Sequence, residues 1–153
     1  MGINKQLLTD IRLGLRHSEF RPVYTADCDY RYIQGKSERF EDIGLINDVQ
    51  NLGQAIIIRL CTPRGELAAL AHPEYGSRLS DLVGRPNTET TRNLAKLYIL
   101  ESLKLEPRIE KVINVSVEPA QGTRDRINIM LVVKPIGSAD AVTIGPFNLE
   151  LAK

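Results

Sequence analysis

Leu103-Lys104-Leu105-Glu106-Pro107-Arg108-Ile109-Glu110-Lys111-Val112-Ile113-Asn114-Val115-Ser116-Val117 decides the fold, because the hydrophobic period changes inside it. Upstream, Ala95, Ile99 and Leu103 recur every four residues with Leu94, Tyr98 and Leu100 beside them, which predicts a helix from about Thr88 to Leu105. Pro107 ends it, since the residue before a proline is pushed out of the helical region. Downstream, Ile113, Val115 and Val117 alternate with Asn114, Ser116 and Glu118, the period of a half-buried strand. Ile127, Ile129, Leu131 and Val133 repeat that alternation, with Met130 and Val132 making the reverse side partly apolar. Val142, Ile144, Phe147, Leu149 and Leu151 make a third strand interrupted at Gly145-Pro146. The strands fall near 111–118, 126–134 and 141–151, separated by turn-rich loops. Helices first and strands last predict an α+β fold, with N-terminal helices packed on a C-terminal three-stranded antiparallel sheet.

Working back from the junction, Ser77 to Val83 fits a short helix capped by Ser77. Ile46, Val49, Gly53, Ile56, Ile57 and Leu60 form a longer apolar stripe, with Asp42 as N-cap and Pro63 as the stop. Asn47, Gln50, Asn51, Gln54 and Arg59 occupy its polar side. Ile3, Leu7, Ile11 and Leu15 step by four, which reads as a short amphipathic helix over 3–15. The segment after it, rich in Asp and Tyr, has no clean period. Residues 1–42 are therefore an N-terminal extension, docked on the domain or awaiting a partner, and 43–153 the α+β domain.

Composition excludes several classes. The chain has 153 residues, 42% of them hydrophobic, enough for one domain with a core. Lys plus Arg is 20 against 19 Asp plus Glu, with no basic patch, and there is no Trp and only three Phe. Nucleic-acid binding thus lacks both its electrostatic footprint and its stacking platform. No apolar run approaches the ~20 residues of a membrane span, and Met1 to Thr9 carries no signal-peptide pattern. A cytoplasmic protein without membrane insertion is expected. Cys28 with Cys61, and His17 with His72, are too widely spaced to announce a metal site. Glu66, Glu74 and Asp81 lie in one irregular stretch with loop residue His72, a poor catalytic set, and no cofactor motif is present. Neither metal, cofactor nor enzyme activity is expected.

At the junction, Glu106 and Arg108 are two apart in an extended reading, so both should project on one side. An arginine there suits a carboxylate or the carbonyls of a helix end, because its planar fork donates in pairs. The last strand leaves a sheet edge, and strand addition by a partner would use Val142, Thr143, Ile144, Phe147, Asn148 and Leu149.

Thr62-Pro63-Arg64-Gly65-Glu66, Tyr75-Gly76-Ser77, Leu82-Val83 and Glu106-Pro107-Arg108-Ile109, in that order, resemble the phage baseplate wedge family of lysozyme-like gene 25 proteins. That family includes the sheath initiators of type VI secretion and extracellular contractile injection systems. The resemblance covers roughly residues 44–151. It implies a structural baseplate subunit, about six copies to a ring, with a core like the conserved domain of the sheath protein. It implies docking on the wedge proteins through Glu106, Pro107 and Arg108, initiation of the sheath, and contact with sheath, inner tube or hub proteins. The family's lysozyme name does not by itself imply activity. A baseplate-associated cell-wall hydrolase, needing two close carboxylates of split pKa, and a helical adaptor are the alternatives.

Overall fold

The computed structural model describes residues 7–15, 24–26, 28–32 and 39–151. The N-terminal part is built from short strands: β1 (Thr9–Ile11), β2 (Leu13–Leu15), β3 (Tyr24–Ala26), β4 (Cys28–Tyr32), β5 (Arg39–Ile43) and β6 (Leu45–Asn47). They pair antiparallel as β1 with β6, β2 with β3, and β4 with β5. This corrects the helix expected over 3–15, because residues 9–11 and 13–15 are strand. The reason is arithmetic. A spacing of four residues lies close to one helical turn but is also two full periods of a strand, so Leu7, Ile11 and Leu15 satisfy both. Ile3 lies outside the described residues.

Helix α1 (Asp48–Cys61) begins later than its apolar stripe suggested. Its N-cap is Asn47; Asp42, the expected cap, lies in β5, and Ile46 lies in β6 opposite Asp10. Pairing with β1 has overridden the helical period there. Leu52, Ile56 and Leu60 are fully buried at successive four-residue steps. The side expected to face solvent is partly buried too, since Asn51, Gln54 and Arg59 are all covered. Asn51 Nδ2 donates to the Leu7 carbonyl at 2.9 Å, and Gln54 Nε2 to the Ile11 carbonyl at 2.8 Å. Gln54 Oε1 accepts from the Leu13 N–H at 2.8 Å. With Leu7 itself only 1% exposed, residues 7–13 of the extension are docked on the domain.

After α1, a 3-10 turn, Leu79–Leu82, replaces the helix expected from Ser77 to Val83. Ser77 still serves its start, its Oγ accepting from the Leu79 N–H at 3.2 Å. Helix α2 (Glu89–Leu103) is capped by Thr88, whose side chain accepts from the Thr91 N–H. Then come β7 (Ile109–Pro119), β8 (Arg126–Pro135) and β9 (Val142–Glu150), antiparallel in that order, so the α+β fold stands with β8 central. Ile127, Ile129, Leu131 and Val133 of β8 are completely buried and share one core with Leu52, Ile56, Leu60, Ile99 and Leu103 of the helices. No helix among the described residues is long and apolar enough to cross a membrane.

The two edges of the sheet differ. Strand β7 slips register against β8 twice, around Glu110 and Ile113, whereas β9 slips once, where Gly145-Pro146 faces Met130. Each extra residue bends and twists its strand.

Leu7→Ala should cost ~2–5 kcal/mol, the range for a buried leucine, and removal of residues 1–20 should also lower the unfolding midpoint. Urea denaturation checks both, and an unchanged midpoint would show that the docked segment contributes nothing to the core.

Candidate functional site

The end of α2 and the start of β7 meet in a turn. Glu106 accepts the Ile109 N–H at 3.1 Å with Pro107 and Arg108 between them. Proline suits the second position of such a turn because its φ is already set. Glu106 and Arg108 do come together, Arg108 Nε donating to Glu106 Oε1 at 2.6 Å. They do so across a turn, not along the extended chain assumed from Pro107 alone.

Glu106 is also buried. It is 4% exposed, and its second oxygen accepts from Arg59 Nη2 at 3.2 Å. One buried carboxylate is thus shared by guanidiniums from α1 and from the turn. Arg59 also lies over the Tyr75 ring, 4.4 Å from its centroid, while its buried Nε has no hydrogen-bond partner. Burial pushes the Glu106 carboxyl up, but the Arg108 hydrogen bond and the Arg108 and Arg59 charges outweigh it and hold it below the ordinary value of 4.5. Burial raises the Tyr75 phenol, partly opposed by the Arg59 charge.

The other loop motifs serve this cluster. The Ser77 N–H donates to the Thr62 carbonyl, and the Arg64 N–H to the Ser77 carbonyl, each at 2.8 Å. Ser77 Oγ donates to the Leu60 carbonyl and Ser102 Oγ to the Gly76 carbonyl. Gly76 has φ +103°, and a Cβ there would lie 2.5 Å from the Thr62 carbonyl oxygen, so only glycine fits. Residues 62–64 and 75–77 are therefore stitched to each other and to α2, which holds Tyr75 beneath Arg59. Arg64 bridges Glu74 and Glu101 on the outside. Beside the cluster opens a hollow of about 380 Å³ lined by Arg59, Ala71, His72, Pro73, Glu74, Tyr75 and Leu105.

Arg59 and Tyr75 are the members that sequence reasoning missed. A signal existed for Arg59: it is the one charge inside Ile56-Ile57-Ile58-Arg59-Leu60-Cys61, and a charge buried in such a run must be paired. Tyr75 stood in the motif Tyr75-Gly76-Ser77, but the loop has no period that would have placed its ring against Arg59.

The second set of expected residues lies apart from the turn, on edge strand β9. Ile144, Phe147 and Leu149 point into the core, Val142 is half-buried, and Thr143 and Asn148 are exposed. Their apolar side chains are thus committed to this domain, so the edge has only main-chain groups to offer. Among the candidate catalytic groups, Asp81 pairs with Arg78 and Glu74 with Arg64, while His72 and Glu66 are exposed. Burial pushes the Cys61 thiol up to about 11. No group of three His, Cys, Asp or Glu residues able to hold a metal occurs among the described residues.

No family model matches the chain, and no curated protein matches it. Among solved structures it is similar to a Geobacter sulfurreducens protein provisionally named a tail lysozyme. The two share 25% identity and superpose with a TM-score of 0.58 over 67% of this chain and 90% of that one.

Glu106→Ala leaves Arg59 buried without its partner and should cost ~3–5 kcal/mol at neutral pH. Because the folded carboxyl titrates below its unfolded value, its contribution is complete above 4.5 and disappears as pH falls through the folded pKa. The gap between wild type and variant should therefore narrow on acidification below that point. A gap that is constant with pH would show that the charge is not what stabilises.

Proposed function

We propose that this chain is a structural subunit of a phage-tail-like contractile baseplate, docking on wedge proteins through Glu106, Pro107 and Arg108 and templating the first sheath ring along β9. The likeness to a protein named for a tail supports the setting. The observation that carries the docking role is the orientation of Arg108. Its Nε is held by a carboxylate that Arg59 in turn anchors, and its two terminal nitrogens make no hydrogen bond to the described residues. Two terminal nitrogens held in a fixed plane beside exposed Pro107, on a side chain 19% exposed, match a partner's carboxylate or the carbonyls of a helix end, at little cost in side-chain entropy.

The same geometry argues for a non-catalytic reading. A lysozyme-type hydrolase needs one carboxyl of raised pKa as acid and a second carboxylate across the cleft. Glu106 is shifted the other way and locked between two cations, and Glu74 and Glu101 share one arginine. Release of peptidoglycan fragments by the purified chain, lost in Glu74→Gln, would overturn this reading. Assembly would take place in the cytoplasm, with about six copies closing a ring and the sheath, wedge and inner tube or hub proteins as neighbours.

For the sheath, the main-chain edge of β9 is the contact. A sheath arm would add a strand on the outer side of β9, along the paired runs that flank its bulge at Gly145-Pro146. Each added main-chain bond nets only ~0.5–1.5 kcal/mol, so the arm holds well only when a ring presents many sites together.

Arg108→Ala should still fold, ~1–3 kcal/mol less stable because buried Glu106 keeps only Arg59 as a partner, yet fail to co-purify with the wedge proteins. Proline at Thr143 or Asn148 removes a main-chain donor, and at whichever of the two faces outward should leave baseplates that form without sheaths. Electron microscopy of assembled particles checks this, and full-length sheaths on both proline variants would eliminate the strand-addition role.

A further inference from the structure

Asn51 and Gln54 stand one turn apart on α1, both nearly buried, and both turn their amides to the main chain of the N-terminal segment. Gln54 makes the two bonds that a neighbouring strand would make, donating to the Ile11 carbonyl and accepting from the Leu13 N–H. Asn51 holds the Leu7 carbonyl. Between Leu7 and Ile11, only Leu7 is buried; Leu8, Thr9, Asp10 and Ile11 are exposed. What α1 and β6 recognise is therefore an extended main chain plus one leucine anchor, the chemistry of a peptide-binding groove.

We propose that this surface is a receptor groove, that the chain fills it with its own Leu7–Leu13, and that the same segment of a second copy takes that place by exchange. The contacts would be identical in either arrangement, because the same residues make them. Three features favour exchange over a permanent strap. The ladder between β1 and β6 is only three residues long. Leu8, next to the anchor, has φ +63°, a conformation that leucine rarely adopts. Finally, docking leaves an apolar patch uncovered around the ladder. Ile11 and Leu45 face each other at one end and are 43% and 60% exposed, with Leu8 and Val49 exposed at the other. A second copy brought in by exchange carries the same patch and can cover this one.

The test uses full-length chains, one bearing Ile11→Cys and the other Leu45→Cys, mixed and mildly oxidised. Neither variant can link positions 11 and 45 within itself, so such a disulfide, located by peptide mass spectrometry, joins two chains. The proposal expects this linkage, and expects it roughly tenfold or more reduced when Asn47→Cys replaces Leu45→Cys, since position 11 is then out of register and beyond disulfide reach. If the 11–45 linkage forms only within a chain carrying both substitutions, the segment is a permanent strap and the exchange is wrong. If linkage between chains ignores register, the contact is collision, and the proposal fails equally.

Discussion

Two guanidiniums share one carboxylate at the point where helix gives way to sheet, and the surrounding architecture depends on that arrangement. Glu106 ties the last turn of α1 to the start of β7 through Arg59 and Arg108. Taking such charges out of water is costly, and an apolar cluster of equal volume could hold the same elements together as firmly. The carboxylate adds direction. It fixes which way the turn presents Arg108, and Arg59, which it anchors, lies over Tyr75 on a loop stitched down at Gly76 and Ser77. Short motifs scattered over about 45 residues of sequence are thereby parts of one assembly.

The helix–strand order and the three C-terminal strands were legible because 127–133 alternates strictly, 95–103 adds steps of three (Ala95 to Tyr98, Leu100 to Leu103) that a strand face does not share, and Pro107 separates them. The N-terminal part was not. Leu7, Ile11 and Leu15 fit two periods at once, and the choice is made by a partner strand more than thirty residues away. Asn51 and Gln54 look like a solvated helix face until something extended lies across them. Half of the site could be read from the sequence, because proline and arginine constrain their own neighbourhood. The other half, Arg59 and Tyr75, exists only once α1 and the loop are folded against the turn.

The sheet's two edges show how placement of a register slip differs from its presence. On β7 the slips lie early in the strand, beside the turn, and twist that end. On β9 the slip sits mid-strand at Gly145-Pro146, leaving a regular run on either side of it. Phe147 and Leu149 on one of those runs anchor the strand in the core.

The pairing of β1 with β6 has a consequence for how this chain can vary. Residues 9–11 lie against residues 45–47, so the chain between them starts and ends at one place. Such a segment is a closed loop, and the entropy of closing a loop grows only with the logarithm of its length, ~0.6 kcal/mol for each doubling. Changes in the length of that loop therefore carry a small entropic cost, provided that the stem, the Leu13 bond to Gln54 and the Leu7 anchor are kept. The domain thus carries a port at which new surface can be added cheaply.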